Sequence, residues 1–397
     1  MAEEQKANII AIINNIFHTA LSKNASDIHI EPKMDRMDVR LRIDGGITLF
    51  ESFPIDVHQP VVTRVKILAN LKIDETRLPQ DGKASLKSEG SNIDLRISVL
   101  PTIYGEKICI RILRTDQTKV DLEELGILDY ALQKVYKALK KKFGIILTTG
   151  PTGAGKTTSL YGMLSNYDPE KYNISTLEDP VEYKMNGVNQ TQVNKDIGFD
   201  FSDGLRTLVR QDPDIIMVGE IRDKTTATLA IESALTGHLV FSTIHTNSAS
   251  ATIQRLLNMG VEKFLLPSAL QLIIAQRLAR RTCSSCKELY VPSESVIKKL
   301  KEEVKDVFDF DEKSIQLYKG KGCDACGGSG FKGRVGLYEV LETSQEIAEM
   351  ILDGEPAMRI EEQAIKQGML TMKKDGMLKV IMGMTTFEEV LAVLGGV

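Results

Sequence analysis

No run in this 397-residue sequence approaches the ~18 uninterrupted apolar residues that a membrane-spanning helix needs. The first residues carry Glu3 and Glu4 instead of a basic stretch leading into an apolar one, so no secretory signal is expected. A surplus of positive charge is also missing. Lys and Arg number 50 against 54 Asp and Glu, a formal net charge of −4, which argues against a dedicated nucleic-acid binder, whose phosphate contacts leave a basic excess. Internal repeats and low-complexity tracts are not found. Cysteine is scarce: there are 5, and in a long chain without a secretory signal paired cysteines read as metal ligands before disulfides. With 42% hydrophobic and 26% charged residues, the chain is predicted to be a cytoplasmic globular protein of two or three domains.

The pattern changes along the chain. Ile9, Ile12, Ile13, Ile16, Phe17 and Leu21 fall at helical spacing and predict an amphipathic opening helix. Alternating segments follow at 26–32, 39–43, 94–99 and 107–113, punctuated by Asp44-Gly45-Gly46; they predict strands of a small α+β domain over residues 1–114. The polar stretch 115–120 reads as a linker. Over 121–397 short apolar strands alternate with helices, the clearest being 144–149, 174–177, 214–218 and 239–244. Such alternation predicts an α/β domain with a mostly parallel sheet. A helical part is expected over 341–397, where Thr343 with Glu346 and Thr385 with Glu388 have capping-box spacing.

The run Gly150-Pro151-Thr152-Gly153-Ala154-Gly155-Lys156-Thr157 matches the P-loop pattern in full and lies between a strand and a helix predicted to begin near Thr158. Glycines let successive backbone N–H groups face a phosphate, and the helix N-terminus adds its dipole. Lys156 is suited to the β- and γ-phosphates, and the Thr157 hydroxyl to Mg²⁺. The motif therefore implies ATP bound with Mg²⁺. Glu220, just past the apolar run 215–218, supplies the acidic group expected beside the metal; a solvated strand-end carboxylate is the plainer alternative. Asp214 starts the same strand, roughly 16 Å from its far end, and cannot substitute. Glu178, Asp179 and Glu182 crowd a proline turn after the 174–177 strand. Such a cluster suits a general base for water attack or is an ordinary acidic turn.

Cys283-Ser284-Ser285-Cys286 and Cys323-Asp324-Ala325-Cys326 are CxxC pairs separated by 36 residues. Four thiolates at tetrahedral geometry make a closed structural Zn²⁺ site; redox disulfides and iron–sulfur ligation are the alternatives. A zinc-binding insertion is thus expected over 281–335. Cys109 stands alone on an apolar strand and reads as a core residue.

These motifs occur together with Gly219-Glu220-Ile221-Arg222-Asp223, Leu235-Thr236-Gly237-His238 and Ser242-Thr243-Ile244-His245-Thr246. Further signatures are Ser26-Asp27-Ile28-His29-Ile30-Glu31-Pro32, Leu78-Pro79-Gln80-Asp81-Gly82 and Ala275-Gln276-Arg277-Leu278. The combination resembles the secretion ATPase superfamily, in the branch that powers type II secretion and type IV pilus assembly, over nearly the whole chain. That resemblance implies a PAS-like N-terminal domain, a RecA-like P-loop ATPase domain and a homohexameric ring. It gives Glu182 the role of catalytic glutamate and Glu220 that of the metal-side acid. His238 and His245 would respond to nucleotide state. Arg96, Arg111, Arg206 and Arg210 match positions that touch nucleotide or reach across the ring, although Arg206 and Arg210 could merely pair with surface carboxylates. Each histidine, too, could simply be a buried imidazole bonded to backbone.

Tetracysteine insertions are typical of the assembly branch of that superfamily and absent from the retraction branch. The implied load is an inner-membrane platform protein, met at the inner face of the cytoplasmic membrane, peripherally and without nucleic acid. A retraction ATPase or a RecA-like nucleic-acid motor are the competing readings. Larger members carry a further N-terminal domain, whereas this chain starts almost directly at the PAS-like part, as a short natural form or a truncated one.

Overall fold

Alternation of apolar and polar residues in the first hundred positions builds a sheet with one face covered by helices. The computed structural model describes residues 2–88, 91–114, 121–311 and 315–395, and the chain divides into two units, Met1–Thr118 and Lys119–Val397. The linker expected over 115–120 lies outside the described residues.

In the first unit, α1 (Ala2–Ser22), β1 (Asp27–Pro32), β2 (Arg36–Ile43), β3 (Gly46–Pro54), α2 (His58–Leu68), β4 (Gln80–Ser88), β5 (Ser91–Thr102) and β6 (Gly105–Arg114) follow in order. The strands form one antiparallel sheet ordered β3-β2-β1-β6-β5-β4. Ile28, Ile30, Val39, Leu41, Ile97 and Ile110 pack with Ile13 and Ile16 of α1 and Val61 and Val65 of α2. The remaining residues of these strands carry the charge. Sequence reading missed β3 and β4, and both are edge strands. An edge need not bury an alternating face, and β3 is exposed along most of its length.

The second unit begins with α3 (Asp129–Leu139), β7 (Gly144–Thr149), α4 (Lys156–Leu164), β8 (Ile174–Glu178), β9 (Asn189–Gln192), α5 (Phe201–Leu208) and β10 (Ile215–Val218). After these come α6 (Lys224–Leu235), β11 (Leu239–Ile244), α7 (Ala249–Asn258), α8 (Leu266–Ala269) and β12 (Leu270–Thr282). Next are β13 (Lys287–Tyr290), α9 (Glu294–Val304), β14 (Leu317–Gly320) and β15 (Phe331–Glu342). Helices α10 (Gln345–Asp353), α11 (Ala357–Lys366), α12 (Met372–Ile381) and α13 (Phe387–Leu394) close the chain. The main sheet is ordered β15-β12-β7-β11-β10-β8-β9 and is parallel except for the antiparallel β12–β15 pair. Consecutive residues of its central strands enter opposite cores: Ile145 and Leu147 one, Ile146 the other, and likewise Ile216 and Val218 against Ile215 and Met217. A parallel sheet covered by helices on both faces accounts for the short, uniformly apolar runs in the sequence. The α/β class is as expected. No helix among the described residues is long and apolar enough to cross a membrane.

Three local expectations shift. The P-loop helix starts at Lys156 rather than near Thr158. The capping residues are Ser344 and Thr386, each one position later than expected, accepting from Ile347 N and Glu389 N. In each case the expected cap residue is held by β12, through its backbone at Thr343 and through its hydroxyl at Thr385. Thr343 N still pairs with Gln271 O at the end of β15, and Thr385 Oγ1 donates to Arg280 O at 2.8 Å. Finally, β15 runs to Glu342, so the C-terminal helices begin at Gln345.

Those helices are anchored by a buried ion pair. Asp375 and Lys379 of α12 are fully buried and 2.5 Å apart. Asp375 also accepts from Tyr338 N at 2.9 Å and Tyr130 Oη at 3.0 Å, and Lys379 donates to Gly336 O at 2.6 Å. Burial pushes the carboxyl up and the ammonium down in pKa, and each group's partners offset that cost. Removing one partner strands the other charge. Lys379→Met should therefore lower stability by about 3–5 kcal/mol, read as an earlier unfolding transition, whereas a loss within experimental error would show that Asp375 takes a proton at little cost.

Candidate functional site

The phosphate-loop sequence leaves the fully buried strand β7 and turns into α4. Gly150 has φ +149° and Gly155 φ +85°, and a Cβ at Gly150 would lie 2.4 Å from the carbonyl oxygen of Gln276 on β12. Glycine is required there by backbone approach, not only by turn geometry. Lys156 Nζ donates to Gly150 O at 2.9 Å and Pro151 O at 3.0 Å. Burial lowers its pKa, and the charge that opposes this is Glu220. Thr157 and Thr158 occupy the first turn of α4. Below the loop, Thr149 Oγ1 is bound to Ile244 O at 2.9 Å and Thr246 Oγ1 at 2.7 Å, and it accepts from Thr246 N at 2.8 Å. The end of β7 is thus tied to the turn that carries His245.

Glu220 follows β10, and Oε1 meets Arg222 Nη2 at 2.5 Å while Oε2 lies 3.8 Å from His245 Nε2. His245 is pushed down by burial and by Lys156 and Arg222, against the pull of Glu220, which favours the neutral imidazole. Arg222 was not singled out from the sequence; the one signal available was its place in the Gly219–Asp223 run.

The acidic cluster after β8 divides its labour. Glu178 is buried and accepts from Tyr161 Oη of α4, from Thr176 Oγ1 at 2.6 Å and from Gln190 Nε2 at 3.2 Å. Burial raises its pKa against those three bonds. Glu178 is a tie between α4 and β8. Asp179 pairs with Lys195 at 2.8 Å. Glu182 is partly exposed, and its N–H reaches the Tyr161 hydroxyl at 3.4 Å.

The other expected residues lie farther out. His238 precedes β11, with Nδ1 2.8 Å from Ser233 O. His245 follows the same strand, seven residues on, which is roughly 23 Å; within one chain the two imidazoles do not meet. Arg206 on α5 pairs with Asp203 at 3.2 Å, and Arg210 donates to Arg206 O at 2.8 Å. Arg96 and Arg111 are direct cross-strand neighbours in the first unit, and Arg111 Nε is 3.0 Å from Asp27 Oδ1.

All four paired cysteines converge. Their sulfurs lie within 4.8 Å of one another, with Cys286–Cys326 at 3.8 Å, Cys323–Cys326 at 3.7 Å and Cys283–Cys323 at 4.0 Å. Four sulfurs ~2.3 Å from one tetrahedral ion are about 3.8 Å apart, so the cage fits zinc. Cys326 Sγ accepts from Cys323 N and Gly330 N, both at 3.2 Å. Against desolvation, these N–H groups hold the thiol below its ordinary pKa, favouring the thiolate that ligates metal. Cys109 is half-buried on β6, where burial raises its thiol pKa.

Comparison with known proteins agrees with the motifs. The family profile described as type II/IV secretion system protein matches residues 2–392. The type IV pilus assembly ATPase PilB of Thermus thermophilus is 43% identical over 380 residues, which is 96% of this chain and 42% of that protein. The type II secretion system protein E of Xanthomonas campestris is 43% identical over 394 residues, 98% of this chain and 68% of that protein. The chain thus spans less than half the length of the first of these relatives. Among solved structures, the pilus retraction motor PilT with bound ADP matches with a TM-score of 0.62 and 26% identity, over 95% of each chain. The Legionella pneumophila ATPase DotB shares the fold, with a TM-score of 0.69 at 20% identity over 98% of this chain and 96% of that one. The chain belongs to the type II/IV secretion system protein family.

Proposed function

We propose that the protein is a Mg²⁺-dependent ATPase motor that powers assembly of type IV pili or of a type II secretion pseudopilus. The observation that carries this reading is the meeting of Lys156, Glu220 and His245 around one loop, from the carboxyl ends of three parallel strands. Backbone N–H groups of 152–157, together with Lys156, hold the ATP phosphates. The Thr157 hydroxyl and Glu220 would hold Mg²⁺, which when bound would supply positive charge to the phosphate oxygens. Glu182 takes a proton from water as that water attacks the γ-phosphorus and the bond to the β–γ bridging oxygen breaks. Arg96, Arg111, Arg206 and Arg210 supply positive charge to the departing phosphoryl group. His238 and His245 respond to its loss. The working unit is a homohexameric ring acting on an inner-membrane platform protein from the inner face of the cytoplasmic membrane. The four cysteines Cys283, Cys286, Cys323 and Cys326 would hold Zn²⁺, which would supply a structural cross-link to the insertion expected over 281–335. The names of the relatives support assembly over retraction.

Three experiments bear on this reading. Glu182→Gln should retain ATP affinity while turnover falls about 10²-fold or more; near-normal turnover removes Glu182 as the base. Metal analysis should find one zinc per chain, and its chelation should expose the segment 283–330 to protease before the rest of the domain. Unchanged protection of that segment would exclude a structural metal. ATP turnover stimulated by DNA and not by the platform protein would overturn the assembly reading.

A further inference from the structure

Gln276 belongs to the Ala275-Gln276-Arg277-Leu278 run, to which no chemical role has been assigned above. It sits on β12, beside β7, and is 1% exposed. Both its backbone and its side chain lie against the phosphate loop. Its carbonyl oxygen is the atom that a Cβ at Gly150 would strike, and its amide nitrogen lies 3.3 Å from where a Cβ at Gly155 would stand. Nε2 donates to Ala154 O at 2.8 Å. Oε1 of the same amide is buried with no hydrogen-bond partner among the described residues. Turning the amide over would set that oxygen against the Ala154 carbonyl, so the donor orientation is the one the loop enforces. A buried acceptor left without a partner is costly, and here that cost accompanies a bond made to the loop.

That bond has a geometric consequence. In a trans peptide the C=O and the following N–H share one plane and point in opposite directions. Holding Ala154 C=O toward Gln276 therefore turns Gly155 N–H away from β12. Gly155 alone could not enforce this, since glycine rotates freely. We infer that Gln276 is a positioning residue for nucleotide binding: its side-chain amide fixes the Ala154–Gly155 peptide so that Gly155 N–H is aimed at a nucleotide phosphate.

The inference rests on the nucleotide being held by residues 150–157, and the experiment separates the two. Affinity of the full-length chain for fluorescent ADP is measured for the parent, Lys156→Ala, Gln276→Met, Gln276→Glu and Gln271→Met. Gln271 lies on the same strand and packs on Gly144, at the other end of β7, so its variant reports general loosening of β12. Gln276→Met keeps length but loses the donor and should weaken ADP about tenfold, with Gln271→Met close to the parent. Gln276→Glu regains a donor only when protonated. It should bind ADP more tightly as pH falls, approaching the parent, whereas Gln276→Met should follow the parent's pH profile at lower affinity. Equal losses in Gln276→Met and Gln271→Met overturn the inference, as does parent-like affinity in Gln276→Met. If Lys156→Ala also keeps parent-like affinity, the loop reading itself fails.

Discussion

Four parallel strands ending at one edge of a sheet are the constraint on which the larger unit depends. β7, β11, β10 and β8 are consecutive neighbours, and their ladders pair Thr149 with Ile244, Val218 with Ser242 and Leu177 with Val218. Parallel registry makes whatever follows each strand emerge on the same side. The loop 150–157, the acidic cluster 178–182, Glu220 and His245 are those followers. Their proximity is therefore a property of the sheet, reinforced by the Thr149 hydroxyl bonded across to the His245 turn. His238 fails the same test for the same reason: it comes before β11, and the registry that gathers His245 keeps it at the opposite edge.

The antiparallel pair β12–β15 gives the sheet a second function. Its register runs unbroken from Leu272 opposite Glu342 to Arg280 opposite Arg334, and a bulge follows before Thr282. Gln276 meets the phosphate loop near the middle of β12, and Cys283 enters the four-cysteine cage directly after its end. The same ribbon carries Tyr338, whose N–H is taken by the buried Asp375. Arg277 Nη1 donates to Val393 O at 2.7 Å, and Arg280 pairs with Glu389, so the last helix is fastened to it as well. Loop support, metal cage and C-terminal helices share one structural member.

How much of this was legible follows from what each segment buries. β7, β10 and β11 are fully buried and read as short apolar runs. The phosphate loop and the paired cysteines are fixed by local spacing and were found at once. β12 and β15 were missed because polar residues such as Arg277, Arg280 and Glu339 interrupt their apolar pattern, and their partners are supplied by α13 and by Ala249 N at 2.7 Å from Glu339. Those contacts lie ninety or more residues away in sequence. Glu178 was equally opaque: nothing local distinguishes it from Glu182, and it is the Tyr161 hydroxyl from another element that makes one carboxylate structural and leaves the other partly exposed.

The charge balance at the sheet edge sets what a phosphate group bound there would meet. Among the cations described there, Lys156 is held by two loop carbonyls and Arg222 is neutralised by Glu220. A phosphoryl group developing negative charge needs more. On the proposed reading the remainder comes from the four arginines Arg96, Arg111, Arg206 and Arg210. A bound phosphate would offer Lys156 oxygens in place of the two loop carbonyls that hold it here.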